Sequence, residues 1–180
     1  MKRSPLIWLT LAGIALLAAA IGYRLGVFGK SAEAPPPVAP AIPIFDLVLT
    51  DLKGQPQSLG QWRGKVLIVN YWATWCLPCR EEMPGFSRLQ ENYREKGVQF
   101  VGISIDTAAK IVEFQEKTPV VYPLLIGDIA VMENSAKLGN TRQALPFTAV
   151  FDKEGRLFST KLGRVAEAEL ERQLIELTSP

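Results

Sequence analysis

The sequence predicts an α/β domain, a central mixed β-sheet flanked by helices, behind an N-terminal apolar helix. Three observations carry the prediction. Residues 65–72 (KVLIVNYW) and 98–105 (VQFVGISI) are near-continuous apolar runs, the composition of strands covered on both faces. Between them lies a segment of helical period, which gives strand–helix–strand. Two shorter strand-like runs and an amphipathic segment close the chain, so a hairpin and a last helix complete a mixed sheet with helices on both faces.

The elements follow in chain order. Residues 1–5 hold Lys2 and Arg3, and residues 6–23 (LIWLTLAGIALLAAAIGY) form an uncharged, mainly apolar run. As a helix, its about 18 residues span about 27 Å, roughly a hydrocarbon core. Basic residues ahead of such a helix keep its N-terminus in the cytoplasm, although Arg24 and Lys30 behind it weaken the bias. An uncleaved signal-anchor and a cleaved signal peptide ending at Ala18, Ala19 and Ala20 both fit. The length of the run and the lack of a polar stretch before the alanines favour the transmembrane anchor. Residues 24–43 form a linker, rich in proline and alanine over 31–43 (SAEAPPPVAPAIP) and therefore extended and semi-rigid. The folded domain covers 44–180.

Within that domain, 45–49 and 57–59 flank DLKGQ and predict a hairpin turning at Gly54. Strand 65–72 leads into a helix over 76–96. Met83, Phe86, Leu89 and Tyr93 share one side of it, Pro84 should kink it, and Gly97 should end it. Strand 98–105 is followed by helix 108–117, a short strand 122–126 and a shorter helix 129–138. Runs 149–152 and 157–161 flank KEG as a second hairpin. The last helix, 165–177, sets Leu170, Leu174 and Leu177 on one face.

Charge and composition exclude several function classes. The chain has 180 residues, 48% apolar and 21% charged, with a net charge of +2. The first thirty residues hold four bases and no acid, so the remainder carries sixteen bases against eighteen acids, a balance of −2. The folded part is not a basic nucleic-acid binder. There is no histidine. Ser-His-Asp and Cys-His catalysis, and His-ligated zinc or haem, are excluded within this chain.

The only two cysteines, Cys76 and Cys79, stand in YWATWCLPCREEMP. A structural zinc site needs four ligands, and the chain supplies two thiols. A purely structural disulfide works mainly by closing a long loop, and two intervening residues close almost none. A redox pair accounts for more. A cysteine between a buried strand and a helix start faces free N–H groups and the positive end of the helix dipole, which favour thiolate. That makes Cys76 a ready nucleophile. Cys79, one turn on, can attack a mixed disulfide at Cys76 and release the substrate. Pro78 stiffens the loop, and Trp75 can shield one side of the sulfurs.

WATWCLPC resembles the active-site motif of the thioredoxin superfamily. GKVLIVNYWATWCLPCREEMP together with LPFTAVFDKEGRL, about 70 residues further on, resembles the membrane-anchored TlpA/ResA-like thiol-disulfide oxidoreductases over residues 44–177. The resemblance implies a thioredoxin-like fold with an N-terminal β-hairpin and a central helix–strand insertion within 106–138. It implies a redox-active Cys76–Cys79 disulfide and a cis-Pro146 packed beside the CxxC loop. Thioredoxin has a buried aspartate where this chain has Asn70. The ResA-like branch tunes its thiols with a glutamate at the place of Glu82, here at i, i+3 from Cys79. Glu82 is expected on an exposed helix face, where a Gln in its place costs little, and its neighbour Glu81 is a solvated helix charge. Phe147 follows the proline, where cytochrome c maturation reductases of the CcmG/DsbE type often have an acid.

The resemblance further implies no cofactor, disulfide-bearing protein substrates and a membrane-borne dithiol electron donor. It implies a domain on the extracytoplasmic (periplasmic) side of the inner membrane. Candidate clients are the CxxCH haem-attachment site of apocytochrome c and copper-carrying assembly proteins of an oxidase. Two other functions remain open. A thiol peroxidase would use Thr74 and Arg142 to orient peroxide, although an adjacent Cys79 is unusual there. A Cu(I) carrier would use both thiolates, without a Met-rich patch.

Overall fold

The computed structural model describes residues 44–179. The predicted anchor (6–23) and linker (24–43) lie outside the described residues. Among the described residues, no helix is long and apolar enough to cross a membrane.

The strands are β1 (Val48–Asp51), β2 (Pro56–Ser58), β3 (Val66–Trp72), β4 (Val98–Ser104), β5 (Leu124–Ile126), β6 (Phe147–Phe151) and β7 (Leu157–Leu162). The helices are α1 (Leu77–Tyr93), α2 (Ala108–Lys117), α3 (Ile129–Lys137) and α4 (Glu167–Thr178). One seven-stranded sheet runs in the order β2-β1-β5-β4-β3-β6-β7. The central strands β3, β4 and β5 are parallel, so α1 and α2 are the crossovers that parallel pairing requires. The flanking pairs β3–β6, β6–β7, β1–β2 and β1–β5 are antiparallel. This is the mixed sheet the sequence predicted.

Alternation along β3 builds two cores. Val66, Ile68 and Trp72 face a cluster formed by Cys79, Met83, Phe86 and Leu89 of α1, Ile111 and Phe114 of α2, and Leu170 and Leu174 of α4. Leu67, Val69 and Tyr71 face the opposite cluster, with Val131 and Met132 of α3 and with Ile44, Phe45, Leu59 and Trp62. All seven residues of β3 are buried, as a central strand with both faces covered must be.

Several details differ from the sequence expectation: β5 starts at Leu124 and not at Tyr122, β6 at Phe147 and not at Ala149, and α4 at Glu167 and not at Val165. Phe45 is not in a strand: Ile44–Asp46 form a 3₁₀ turn that buries Ile44 and Phe45 in the second core. The hairpin begins only at Val48, and its turn is fixed by the Asp51 carboxylate, which accepts from the N–H groups of Lys53 and Gln55 at 2.9 and 2.8 Å. The long helix starts at Leu77, not Cys76, and ends at Tyr93; a 3₁₀ turn, Arg94–Lys96, then reaches Gly97 at φ 81°. It runs on through Pro84, because the proline stands on the exposed side and frees only the carbonyl of exposed Arg80.

Candidate active site

Strand β3 ends at Trp72 and α1 begins at Leu77, so the CxxC sequence occupies a strand-to-helix turn. Cys76 is the N-cap residue: it is extended, and its sulfur accepts from the Cys79 N–H at 3.3 Å. Pro78 falls in the first turn, where a missing N–H leaves no helix bond unmade. Cys76 and Cys79 are joined as a disulfide with 5.3 Å between Cα atoms. Cys76 keeps 5% of its surface in solvent and Cys79 none. Trp75, expected to shield the sulfurs, leaves 66% of its surface exposed, and Leu77 leaves 61%. The two form an apolar rim around the turn.

The Leu145–Pro146 peptide bond is cis. Antiparallel pairing sets Tyr71 opposite Phe147, which brings Pro146 level with the end of β3, where the CxxC turn starts. The Pro146 carbonyl accepts from Gly163 N–H at 2.8 Å, tying this corner to the segment leading into α4.

Glu82 corrects the sequence expectation. It is 3% exposed, because α1 turns that side onto the sheet. One carboxylate oxygen accepts from Asn70 Nδ2 at 2.8 Å, and the other from the backbone N–H of Val165 at 2.9 Å. Asn70 Nδ2 also donates to Thr148 Oγ1 at 3.0 Å. Asn70 therefore does not leave the carboxylate missing; it holds one supplied from α1. Burial pushes the Glu82 carboxyl up to about 7, while the bonds from Val165 and Asn70 and the charge of Arg164 hold it down. Asn70 Oδ1 is buried without a partner. If the amide turns over, Oδ1 faces Glu82, so Asn70 can serve either the carboxylate or the protonated acid.

The same face buries two more unpartnered groups, Trp72 Nε1 and the Tyr122 hydroxyl. Burial, and then the Glu82 charge, push the Tyr122 phenol well above its usual range. Glu82, its carboxyl pushed up to about 7, stands one turn beyond Cys79. Glu81, by contrast, is exposed and 3.6 Å from Arg164.

Sequence reasoning missed Asp106. It follows β4, is 8% exposed, and its Oδ2 accepts from both the backbone N–H and the hydroxyl of Thr74, at 2.7 and 2.9 Å. Because β3 and β4 are parallel and in register to Ser104, the segment after β4 ends beside the CxxC turn. A carboxylate there pins the approach to Cys76. An acid just past a buried strand was the available signal. Thr74, the peroxide-orienting candidate, thus has its hydroxyl engaged by Asp106, and Arg142 forms no ion pair among the described residues. Among the described residues, no three Cys, Asp or Glu side chains cluster as metal ligands.

The Redoxin family profile matches residues 37–174. The chain is 33% identical to the thiol-disulfide oxidoreductase ResA of Geobacillus kaustophilus (strain HTA426) over 178 residues, covering 97% of each. A thioredoxin-related protein from Neisseria meningitidis serogroup B superposes at a TM-score of 0.64 with 40% identity, over 72% of this chain and 97% of that one. A thiol:disulfide interchange protein from Chlorobium tepidum TLS shares the fold at a TM-score of 0.69 and 24% identity, over 78% of this chain and 99% of its own. The paired cysteines at the helix start, on a thioredoxin-like sheet, thus agree with kinship along nearly the whole chain: it belongs to the Redoxin family and is a thiol-disulfide oxidoreductase of the ResA-like type.

Proposed function

We propose that this chain is a membrane-tethered reductase of specific protein disulfides, working on the extracytoplasmic side through Cys76 and Cys79. The observation that supports it best is the asymmetry of the pair. Cys76 reaches solvent at a helix start, and Cys79 is sealed one turn before a buried carboxylate.

The cycle starts from the dithiol. Cys76 thiolate attacks one sulfur of the client disulfide; a Cys76–client bond forms, and the client's second sulfur leaves as a thiolate that takes a proton from water. Cys79 loses its proton and attacks Cys76 Sγ, so the Cys76–Cys79 bond forms and the client's first sulfur leaves. The client gains two electrons, and this chain loses them. Glu82 holds or passes the proton that Cys79 gives up. A membrane-borne dithiol restores the reduced pair. Trp75, Pro78 and Pro146 shape the surface around the sulfurs. Candidate clients are the haem-attachment CxxCH of apocytochrome c and copper-carrying proteins of oxidase assembly. The apolar run at 6–23, with Lys2 and Arg3 ahead of it, supports the tether and its orientation.

A Cys79→Ser chain tests the reading. It should stop at the mixed disulfide, and mass spectrometry should find a client bonded to Cys76. A client bonded instead to Cys79 in Cys76→Ser, with none on Cys76, would reverse the roles. A reporter active only in the cytoplasm, fused after Pro180, should stay silent.

A further inference from the structure

A charged cavity is lined by residues from both ends of the CxxC turn, Thr74 before it and Arg80 after it. It measures about 250 Å³ and is also lined by Lys110, Glu113, Phe114 and Lys117 from α2. Three chain segments converge there. Lys117 is paired with Glu113 at 2.6 Å, so these two cancel. Lys110 has only Asp106, at 3.8 Å, and that carboxylate already accepts two bonds from Thr74. Arg80 has no ion-pair partner among the described residues. The cavity therefore carries surplus positive charge, although the chain beyond residue 30 is net negative.

This charge is not what the helices would choose for themselves. Arg80 and Lys110 both stand in the first turn of a helix, where acids are favoured, and neither first turn holds an acid. The cost is borne next to the reacting sulfurs, with Arg80 directly after Cys79. In the same turn, Trp75 and Leu77 are exposed and apolar.

We infer that this cavity is a docking site for the client, selecting disulfides whose cysteine is flanked by an acidic side chain. The client carboxylate lies between Arg80 and Lys110, while an apolar residue of the client rests on Trp75 and Leu77. Charge complementarity of this kind at a solvent-exposed rim acts mainly on association rate and fades with salt. The inference rests on the reductase reading above.

Two synthetic peptides test it. Each holds one internal disulfide, and they differ only in Asp or Lys two positions from a cysteine. The rate of reduction by the pre-reduced full chain is measured for each at about 20 and 200 mM salt, a range that shortens the screening length severalfold. The Asp peptide should react about tenfold faster at low salt, with the advantage shrinking at high salt. A chain carrying Arg80→Glu and Lys110→Glu should prefer the Lys peptide. One carrying Arg80→Gln and Lys110→Gln should bring the ratio close to one. Equal rates with the unaltered chain, or a ratio that survives the charge reversal, overturn the docking site and leave the reductase reading standing. Reduction of neither peptide overturns both.

Discussion

Asn70 and Tyr71 are neighbours in β3, and the pleat sends their side chains to opposite faces of the sheet. Both are buried polar groups, at 1% and 0% exposure, yet their surroundings differ. Asn70 joins Glu82, Thr148 and Val165 in a bonded network around a carboxyl that titrates near neutrality. Tyr71 points toward α3, where its hydroxyl approaches the Asn134 amide without a well-formed hydrogen bond between them. Burial pushes the Tyr71 phenol far up, so it stays neutral at any working pH. The contrast teaches where the chemistry is confined. The face under α1 holds, one turn beyond Cys79, a carboxyl that burial pushes up to about 7; the face under α3 holds a phenol pushed far above that.

The sharpest break of that comparison is at the sulfurs. Cys76→Ser should lower disulfide reduction by more than about a thousandfold, as removal of a nucleophile does. Cys79→Ser should end turnover equally but keep the first step, visible as a mixed disulfide in a single-turnover assay. Equal and partial losses from the two would contradict distinct roles.

Glu82→Gln comes next, and its effect depends on pH. The Glu82 carboxyl is raised in the folded chain from 4.5 to about 7. The folded state therefore binds the proton more tightly than the unfolded one. The associated stability is full below about pH 4.5 and is lost as pH rises to about 7, on the order of 3 kcal/mol. Gln has no such proton, so this loss should be absent from its stability over that window. Its amide also fits, since Asn70 can turn Oδ1 toward it while Val165 N–H bonds the Gln oxygen. Urea unfolding of the oxidised chains at pH 5 and pH 8.5 should thus show Glu82→Gln gaining on the unaltered chain as pH rises. Parallel pH curves would mean that Glu82 does not titrate in this window. The pH dependence of Cys79 alkylation in the reduced chain should shift as well.

These two sites were legible to different degrees, for physical reasons. Cys76 and Cys79 announce themselves by local spacing after a buried strand. The stretch 149–151 of β6 was visible as an apolar run, although the strand itself starts two residues earlier, at Phe147, and the cis bond at Pro146 followed from the resemblance. The burial of Glu82 was not visible, because it depends on how α1 rolls onto β3 and on Val165 arriving from 83 positions away. Helical spacing placed Glu82 on the right side of α1 and could not say that the sheet and α4 would close over it. Phe45 misled for the converse reason: an apolar residue near a turn fits a strand or a buried 3₁₀ corner equally well. Asp106 was missed because its link to Thr74 arises only from the parallel register of β3 and β4.

Asp106→Ala extends the comparison to the rim of the chemical face. It strands the Thr74 N–H and hydroxyl, a cost of about 1–3 kcal/mol where they are shielded from water. Its contact with exposed Lys110 adds little. Because the freed segment leads into Cys76, alkylation of Cys76 in the reduced chain should change in rate and in pH midpoint, and Asp106→Asn, which keeps an acceptor oxygen, should restore part of the difference. A loss of stability with an unchanged alkylation profile would make Asp106 a structural bond alone.

Tyr71→Phe should do least, and that makes it the control for the opposite face. The change removes one hydroxyl and keeps the ring, so the tilted contact with Phe147, 5.8 Å between centroids, survives. The lost oxygen has no partner, and deleting an unsatisfied buried polar atom is close to neutral or stabilising, within about 1 kcal/mol. The Asn134 amide lies close enough to the hydroxyl to hold the phenol down, but makes no well-formed hydrogen bond with it. The Tyr71 phenol is held far above neutrality, so the pH profiles of alkylation and of unfolding should overlay those of the unaltered chain. A destabilisation of about 2 kcal/mol or more would show that the Tyr71 hydroxyl and Asn134 are bonded in solution. A displaced alkylation curve would be the more serious result, since it would mean that protons on the α3 face reach the sulfurs through β3 and that the chemistry is not confined to one side of the sheet.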